Sequence, residues 1–347
     1  MQKRDIIVIG ASAGGFEAIR RLVAGLPADL PASIFIVWHM SPDIKGMLPD
    51  VLNRLKRMPA ANARDREPIE RGRIYVAPPD HHMIIEKSLV RITRGPRENR
   101  FRPAIDPLFR SAAYNYGSRV VGIVLSGGLD DGSAGLWTIK WYKGLAIVQV
   151  PHDAEAPSMP ENALETVIVD YKLPVSEMPD LLIKLVDEEA PQVPVTNEED
   201  EKAKIEIGVV LENQTFKKKF MEFGELTLYT CPECHGVLTA IREGNRLRFR
   251  CHTGHAFSAD TLLASISEAV EDNLWIAIRS VQESIIFLNH MGDHFAAMNR
   301  PRIAAMYFQK AKEAESRAQL VRRAVSAHEQ LSFDNMEEQA ELPGATK

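Results

Sequence analysis

Cysteine is scarce in this chain: three in 347 residues, all between positions 231 and 251. An odd number crowded into one segment excludes a disulfide framework and fits a metal site in a reducing compartment, so the expected address is the cytoplasm. No apolar run approaches the ~20 residues that span a bilayer, and membrane insertion is not expected. The start, Met1-Gln2-Lys3-Arg4-Asp5, runs straight into a strand-like segment without the apolar core of a secretory leader. Charge of one sign is missing too. The net charge of -5 is too small for a broad electrostatic hold on nucleic acid or anionic lipid. What remains is an ordinary folded composition, 45% hydrophobic and 26% charged, with length for about two domains.

The hydrophobic pattern divides the chain. Ile6-Ile7-Val8-Ile9, Ile34-Phe35-Ile36-Val37-Trp38, Val120 to Leu125 and Ala146 to Val150 are continuous apolar runs of the kind buried in a parallel sheet. Between them Phe16, Ile19, Leu22 and Val23 recur at helical spacing, and helices are expected over Leu48–Leu55, Ile105–Tyr116, Ala134–Trp141 and Met178–Val186. Residues 73–94 read as short strands around a Pro78-Pro79-Asp80 turn. Strands alternating with helices imply an α/β fold, a doubly wound and mostly parallel sheet, over residues 1–187. Residues 188–204, with Pro191, Pro194 and the run Glu198-Glu199-Asp200-Glu201, read as an acidic linker. A cysteine-bearing segment follows over 205–258 and a helical region over 259–347. In the latter, Leu262, Ile266, Val270, Leu274, Ile278, Val281, Ile285 and Leu288 form one stripe, and Trp275, Phe287 and Met291 read as core. Pro301 divides that region into two helices.

Gly10-Ala11-Ser12-Ala13-Gly14 fits G-x-S-x-G at a strand-to-helix turn, which exposes a serine hydroxyl beside a helix N-terminus. A dinucleotide-binding turn would need glycine at Ser12 and an acid after the second strand, where Trp38-His39 stands. A P-loop would need a following G-K-[S/T]. A glycine-rich turn without chemistry stays open. His39 ends the second strand, at the edge where open α/β sheets build their sites. A third strand runs into Ser126-Gly127-Gly128-Leu129-Asp130-Asp131-Gly132. One of these two acids either caps the next helix or accepts the imidazole Nδ1–H. The order serine, histidine, aspartate differs from that of ordinary α/β-hydrolases.

These segments, with Ile9 to Gly15, His39-Met40, Ile74 to Pro78, Ile105 to Ala113, Leu125 to Gly135 and Met159 to Ala163, resemble the catalytic domain of the chemotaxis protein-glutamate methylesterase (CheB) family over residues 4–187. The resemblance implies a triad of Ser12, His39 and Asp131, with backbone oxyanion donors at Ala13 and Gly128 and no cofactor for catalysis. It implies hydrolysis of glutamate γ-methyl esters on a methylated chemoreceptor-type protein, with glutamine deamidation as a related activity. Two departures stand out. Gly127-Gly128-Leu129-Asp130 replaces the family's glycine-methionine-glycine-alanine, and the chain starts without the N-terminal receiver domain of well-known members.

Cys231-Pro232-Glu233-Cys234 and Cys251-His252-Thr253-Gly254-His255 form two knuckles separated by a short hairpin, a zinc-ribbon-like pattern. The expected ligands of a structural zinc are Cys231, Cys234, Cys251 and His255, with His252 as the alternative to His255. The C-terminal helices either pair with each other or take a protein partner. Two rival functions stay open: an esterase or amidase acting on a non-receptor protein, and a degenerate hydrolase serving as a binding module.

Overall fold

The run Ile6–Ala11 carries no polar side chain and all six residues are buried, which only the centre of a sheet covered on both faces allows. The computed structural model describes residues 2–39, 47–191, 197–213, 224–243, 246–331 and 336; Met40, beside His39, lies outside them. In chain order the first unit contains β1 (Ile6–Ala11), α1 (Gly15–Gly25), β2 (Ser33–Trp38), α2 (Leu48–Arg54), β3 (Ala60–Asn62), β4 (Arg73–Val76), β5 (His82–Glu86) and β6 (Leu89–Thr93). It continues with α3 (Ile105–Tyr116), β7 (Val120–Val124), α4 (Ser133–Trp141), β8 (Leu145–Gln149), α5 (Ser158–Thr166), β9 (Tyr171–Leu173) and α6 (Met178–Leu185). The main sheet runs β3-β4-β2-β1-β7-β8-β9, with every neighbouring pair parallel. Side chains alternate across it. Ile7, Ile9, Ile34 and Ile36 face a core shared with α1, α2 and α6, while Ile6, Val8, Phe35 and Val37 face one shared with α3 and α4. The doubly wound α/β sheet expected from the pattern is therefore present.

The linker reading fares differently. Residues 197–204 open a helix, α7 (Asn197–Val210), whose second half is buried from Ile205 to Val210. The acidic run is only its first turn and a half, and the apolar anchors lie just past the expected boundary. Ile207 and Val210 pack on Ile84, and Ile205 and Val209 on Ile241. Then β10 (Glu225–Thr230), β11 (Val237–Glu243), β12 (Arg246–Cys251) and β13 (Ala256–Ser258) form an antiparallel sheet. Residues 1–261 make one compact unit, so the knuckle segment is not a separate body. Five charges are buried where α3, α7 and β12 meet. Glu98 and Glu206 sit among Arg110, Arg248 and Arg250, with Arg250–Glu98 at 2.6 Å, Arg110–Glu206 at 2.9 Å and Arg248–Glu206 at 3.1 Å. Burial opposes ionisation of both glutamates, but the guanidinium groups outweigh it and hold their carboxyls below the ordinary range.

The second unit, residues 262–347, holds most of α8 (Ala259–Ala297) and all of α9 (Pro301–Ser326), which begins at Pro301 as expected. The two helices pair antiparallel: Ser267 reaches His328 at 3.4 Å, and Phe295 stacks on Tyr307 with centroids 5.4 Å apart. Ala304, Ala311 and Ala318, seven apart, give α9 a narrow buried face. Trp275 and Phe287 are not core: they stand 54% and 63% exposed, and of the expected stripe Leu262 and Ile278 are buried while Ile266 and Val270 are exposed. Among the described residues no helix is long and apolar enough to cross a membrane.

Breaking one partner of a buried ionic cluster strands the others. Glu206→Gln should lower the unfolding free energy by about 3 kcal/mol, read as a reduced urea midpoint with unchanged slope. A midpoint equal to the wild type would mean that the five charges do not hold α7 and β12 to the sheet.

Candidate active site

The chain leaves β1 outward to β2 and returns to the other side of β1 only with β7, so the carboxyl ends of these strands open a crevice at the switch point. Ser12 follows β1, His39 follows β2, and the turn from Ser126 to Asp131 follows β7. The main chain of Ser12 is held from both sides. Its N–H donates to Ser126 O at 2.9 Å, and its carbonyl accepts from Trp38 Nε1 at 3.0 Å. His39 N–H donates to Ala11 O at 3.0 Å, which sets the histidine beside the serine across the β1–β2 ladder. The sharp turn itself falls at Gly14, with φ 69°, where any side chain would run into Glu155 and Ser126.

Asp131 is the acid joined to His39, at 2.8 Å, with both side chains almost fully buried. The bond uses Nε2, the reverse of the expected Nδ1. With Nε2–H donating to the carboxylate, Nδ1 carries the lone pair and is the basic nitrogen. It is buried and has no hydrogen-bond partner among the described residues, Ser12 Oγ included. Phe101 stacks on the imidazole, centroids 3.7 Å apart and planes within 11°.

Four donors serve Asp131. Oδ2 accepts from His39 and from Ile105 N at 2.7 Å; Oδ1 accepts from Asn99 Nδ2 at 2.9 Å and Asp106 N at 3.3 Å. Two of these are the first amides of α3, whose dipole favours an anion there. Burial alone would raise the carboxyl, yet the histidine, the Ile105 amide and Asn99 together hold it below the ordinary range. Asp106 takes Gly132 N at 3.1 Å and Gly135 N at 2.6 Å, and burial with the Asp131 charge pushes it up to about 7. Asp130 turns elsewhere, accepting from Ser258 Oγ at 2.7 Å.

The amides of Ala13 and Gly128 have no acceptor among the described residues, and nothing lies within 4 Å of the space beside Gly128. Leu129, where the family resemblance expects glycine, has φ 62° and so bears backbone strain at the rim. Sequence reasoning passed over Asn99 and Phe101. Asn99 has φ 49°, a conformation asparagine tolerates, but no spacing rule ties it to a strand end.

The second cluster is Cys231, Cys234, Cys251 and His255, whose ligand atoms all lie within 4.8 Å of one another. Cys231 and Cys234 belong to the turn between β10 and β11; Cys251 ends β12 and His255 precedes β13. Cys234 Sγ to Cys251 Sγ is 3.6 Å, and His255 Nδ1 lies 3.7 Å from Cys231 Sγ and 3.6 Å from Cys251 Sγ. Tetrahedral zinc with bonds of ~2.3 Å to sulfur gives edges of about 3.8 Å, so the donor set fits that ion. Thr253 Oγ1, 2.9 Å from Cys251 Sγ, supplies the outer hydrogen bond such thiolates take. His252 is exposed, packs over Gly236 and stands outside the cluster.

The sequence profile of the family described as CheB methylesterase matches residues 7–182. A provisionally named protein-glutamate methylesterase/protein-glutamine glutaminase of Leptospira interrogans is 38% identical over 52% of this chain and 94% of its own length. A protein of Anaeromyxobacter dehalogenans, named protein-glutamate methylesterase/protein-glutamine glutaminase 2, is 36% identical over 52% of this chain and 53% of its own. The crystal structure of the Thermotoga maritima CheB methylesterase catalytic domain aligns with a TM-score of 0.51 and 31% identity. That alignment covers 52% of this chain and 98% of the other.

Asp130 generates a pH test. Burial, with the charges of Asp260 and Asp131, pushes its carboxyl up to about 7 against the Ser258 bond. The folded protein thus keeps a proton that the unfolded chain releases near ~4, and stability falls as pH climbs through that interval and levels off above it. Asp130→Asn can still accept from Ser258 and lacks this loss. Its denaturant midpoint should gain on the wild type more at about pH 8 than at about pH 4; an equal gain at both would place the Asp130 carboxyl in water.

Proposed function

The chain belongs to the CheB methylesterase family, and we propose that it hydrolyses glutamate γ-methyl esters of chemoreceptor-type proteins, and deamidates their glutamines, through Ser12, His39 and Asp131. The observation that carries this is the buried His39–Asp131 pair, which leaves Nδ1 as an unpartnered base at the strand end next to Ser12. Asp131 fixes the Nε2–H tautomer and stabilises the imidazolium that forms. In the substrate complex, where catalytic hydrogen bonds tighten, Nδ1 takes the Ser12 Oγ proton as Oγ attacks the ester carbonyl. The Ala13 and Gly128 amides receive the developing oxyanion, each a term of about 3 kcal/mol. Collapse expels methoxide, which takes the proton from Nδ1 and leaves as methanol. Water, deprotonated by the same nitrogen, then hydrolyses the acyl-enzyme to glutamate and free serine.

The Cys231, Cys234, Cys251 and His255 cluster is read as a structural zinc site. Four protein ligands leave no open position, so the ion would hold the knuckle and take no part in hydrolysis. A site built from free thiols suits the reducing cytoplasm.

Methanol release from a methylated chemoreceptor measures the activity. Ser12→Ala, His39→Ala and Asp131→Asn should each reduce it by at least ~10³-fold without unfolding the protein, and the Ser12→Ala/His39→Ala pair should be scarcely worse than either single change. A Ser12→Ala protein that keeps a tenth of the activity would move the nucleophile elsewhere.

Elemental analysis of the purified chain should find about one zinc per molecule, lost in Cys251→Ser. The absence of any stoichiometric metal from wild-type protein would remove the zinc assignment.

A further inference from the structure

Residues 97–101 lie between the two clusters and touch both. Towards the knuckle, Ala256 N donates to Arg97 O at 3.1 Å and Ala256 O accepts from Asn99 N at 2.8 Å. Arg97 pairs with Glu233 at 3.3 Å, and Glu98 with Arg250 at 2.6 Å. Each of these partners adjoins a candidate ligand: Ala256 follows His255, Arg250 precedes Cys251, and Glu233 sits between Cys231 and Cys234. Towards the triad, Phe101 covers His39, and the Asn99 amide donates one hydrogen to Asp131 and the other to Asp106, at 2.9 and 2.8 Å.

The Asn99 side chain has one orientation available. Its Oδ1 accepts from the N–H of Ser258, the last residue of β13, at 3.1 Å, while its Nδ2 faces the carboxyl groups of Asp131 and Asp106. Reversing the amide would set its oxygen against the charged Asp131 carboxylate and its NH₂ against the Ser258 N–H. Asn99 therefore converts the position of β13 into the position of the Asp131 carboxylate. In the β10–β13 sheet Leu238, Ile241, Phe249 and Phe257 are buried while Leu226, Leu228, Tyr229 and Val237 stand exposed, and small knuckles with four thiolate and imidazole ligands commonly take part of their order from the metal.

We propose that the metal knuckle is a positioning device for the triad: metal at Cys231, Cys234, Cys251 and His255 fixes β13, and β13 acts through Asn99 on Asp131. Asn99 is a positioning residue that touches the acid and not the substrate. The proposal rests on the triad reading above. It makes hydrolysis depend on metal although no metal takes part in the reaction.

The test uses the full chain and a small chromogenic ester, which reads the triad without receptor docking. Zinc-loaded protein, the same protein after chelation, and zinc-loaded Asn99→Ala are compared, with metal content and thermal midpoint measured for each. Chelation should lower kcat by roughly 100-fold with little change in KM, and added zinc should restore it. Asn99→Ala should keep its zinc, fall to about the chelated rate, and lose little more on chelation, because both changes remove the same link. An Asn99→Ala protein with full zinc and wild-type kcat overturns the proposal. So does chelation that leaves kcat unchanged, or that multiplies independently with Asn99→Ala. Zinc-loaded protein whose ester hydrolysis ignores Ser12→Ala would instead sink the triad reading, and the inference with it.

Discussion

A carboxylate shut away from water must find donors inside the protein, and Asp131 finds four. They come from three separate decisions of the fold. His39 arrives because β2 neighbours β1, the amides of Ile105 and Asp106 because α3 starts under the β7 turn, and Asn99 because a left-handed residue turns its amide inward. Remove the burial and Asp131 is one more surface acid; remove the donors and it takes up a proton and stops orienting the imidazole. The neighbouring acids show the alternative. Asp130, next to it on the same turn, and Asp106, in the first turn of α3, are both pushed up to about 7, so that of these three acids Asp131 alone is held below the ordinary range.

Buried charge also decides how far the working unit extends. Glu98 and Glu206 are too deep to stand alone, and their three arginines come from α3 and β12. That cluster ties a strand of the knuckle sheet to a helix of the parallel sheet. The matched family ends at residue 182, yet the compact unit runs to residue 261. The segment beyond the family boundary thus builds part of the surroundings of the Asp131 turn, through Ser258 on Asp130 and Asn99.

Much of this was legible in the residues. Continuous apolar runs located β1, β2, β7 and β8, and helical spacing located α1, α3, α4 and α6, because burial on two faces and on one stripe leave different periods. Ser12, His39 and Asp131 stood at strand ends where an open sheet gathers them. Spacing located the three cysteines of the knuckle and left His252 open beside His255; the distances bring His255 into the cluster. Less was legible where tertiary contact outweighs local pattern. The acidic start of α7 hid a helix whose anchors, Ile205 to Val210, only find a partner in the folded sheet. The nitrogen of His39 that meets Asp131 depends on ring orientation, which no sequence states. Asn99 carries no motif, since its importance lies in facing three elements at once.

At the centre of the proposed chemistry, Ser12 is a nucleophile activated by a histidine that Asp131 holds. A serine-directed phosphonate, followed by peptide mass spectrometry, reads that claim without reference to any substrate protein. One phosphonyl group per chain is expected, on Ser12, formed in wild-type protein and absent after His39→Ala. Modification at another residue, or at Ser12 with undiminished rate in His39→Ala, would contradict it.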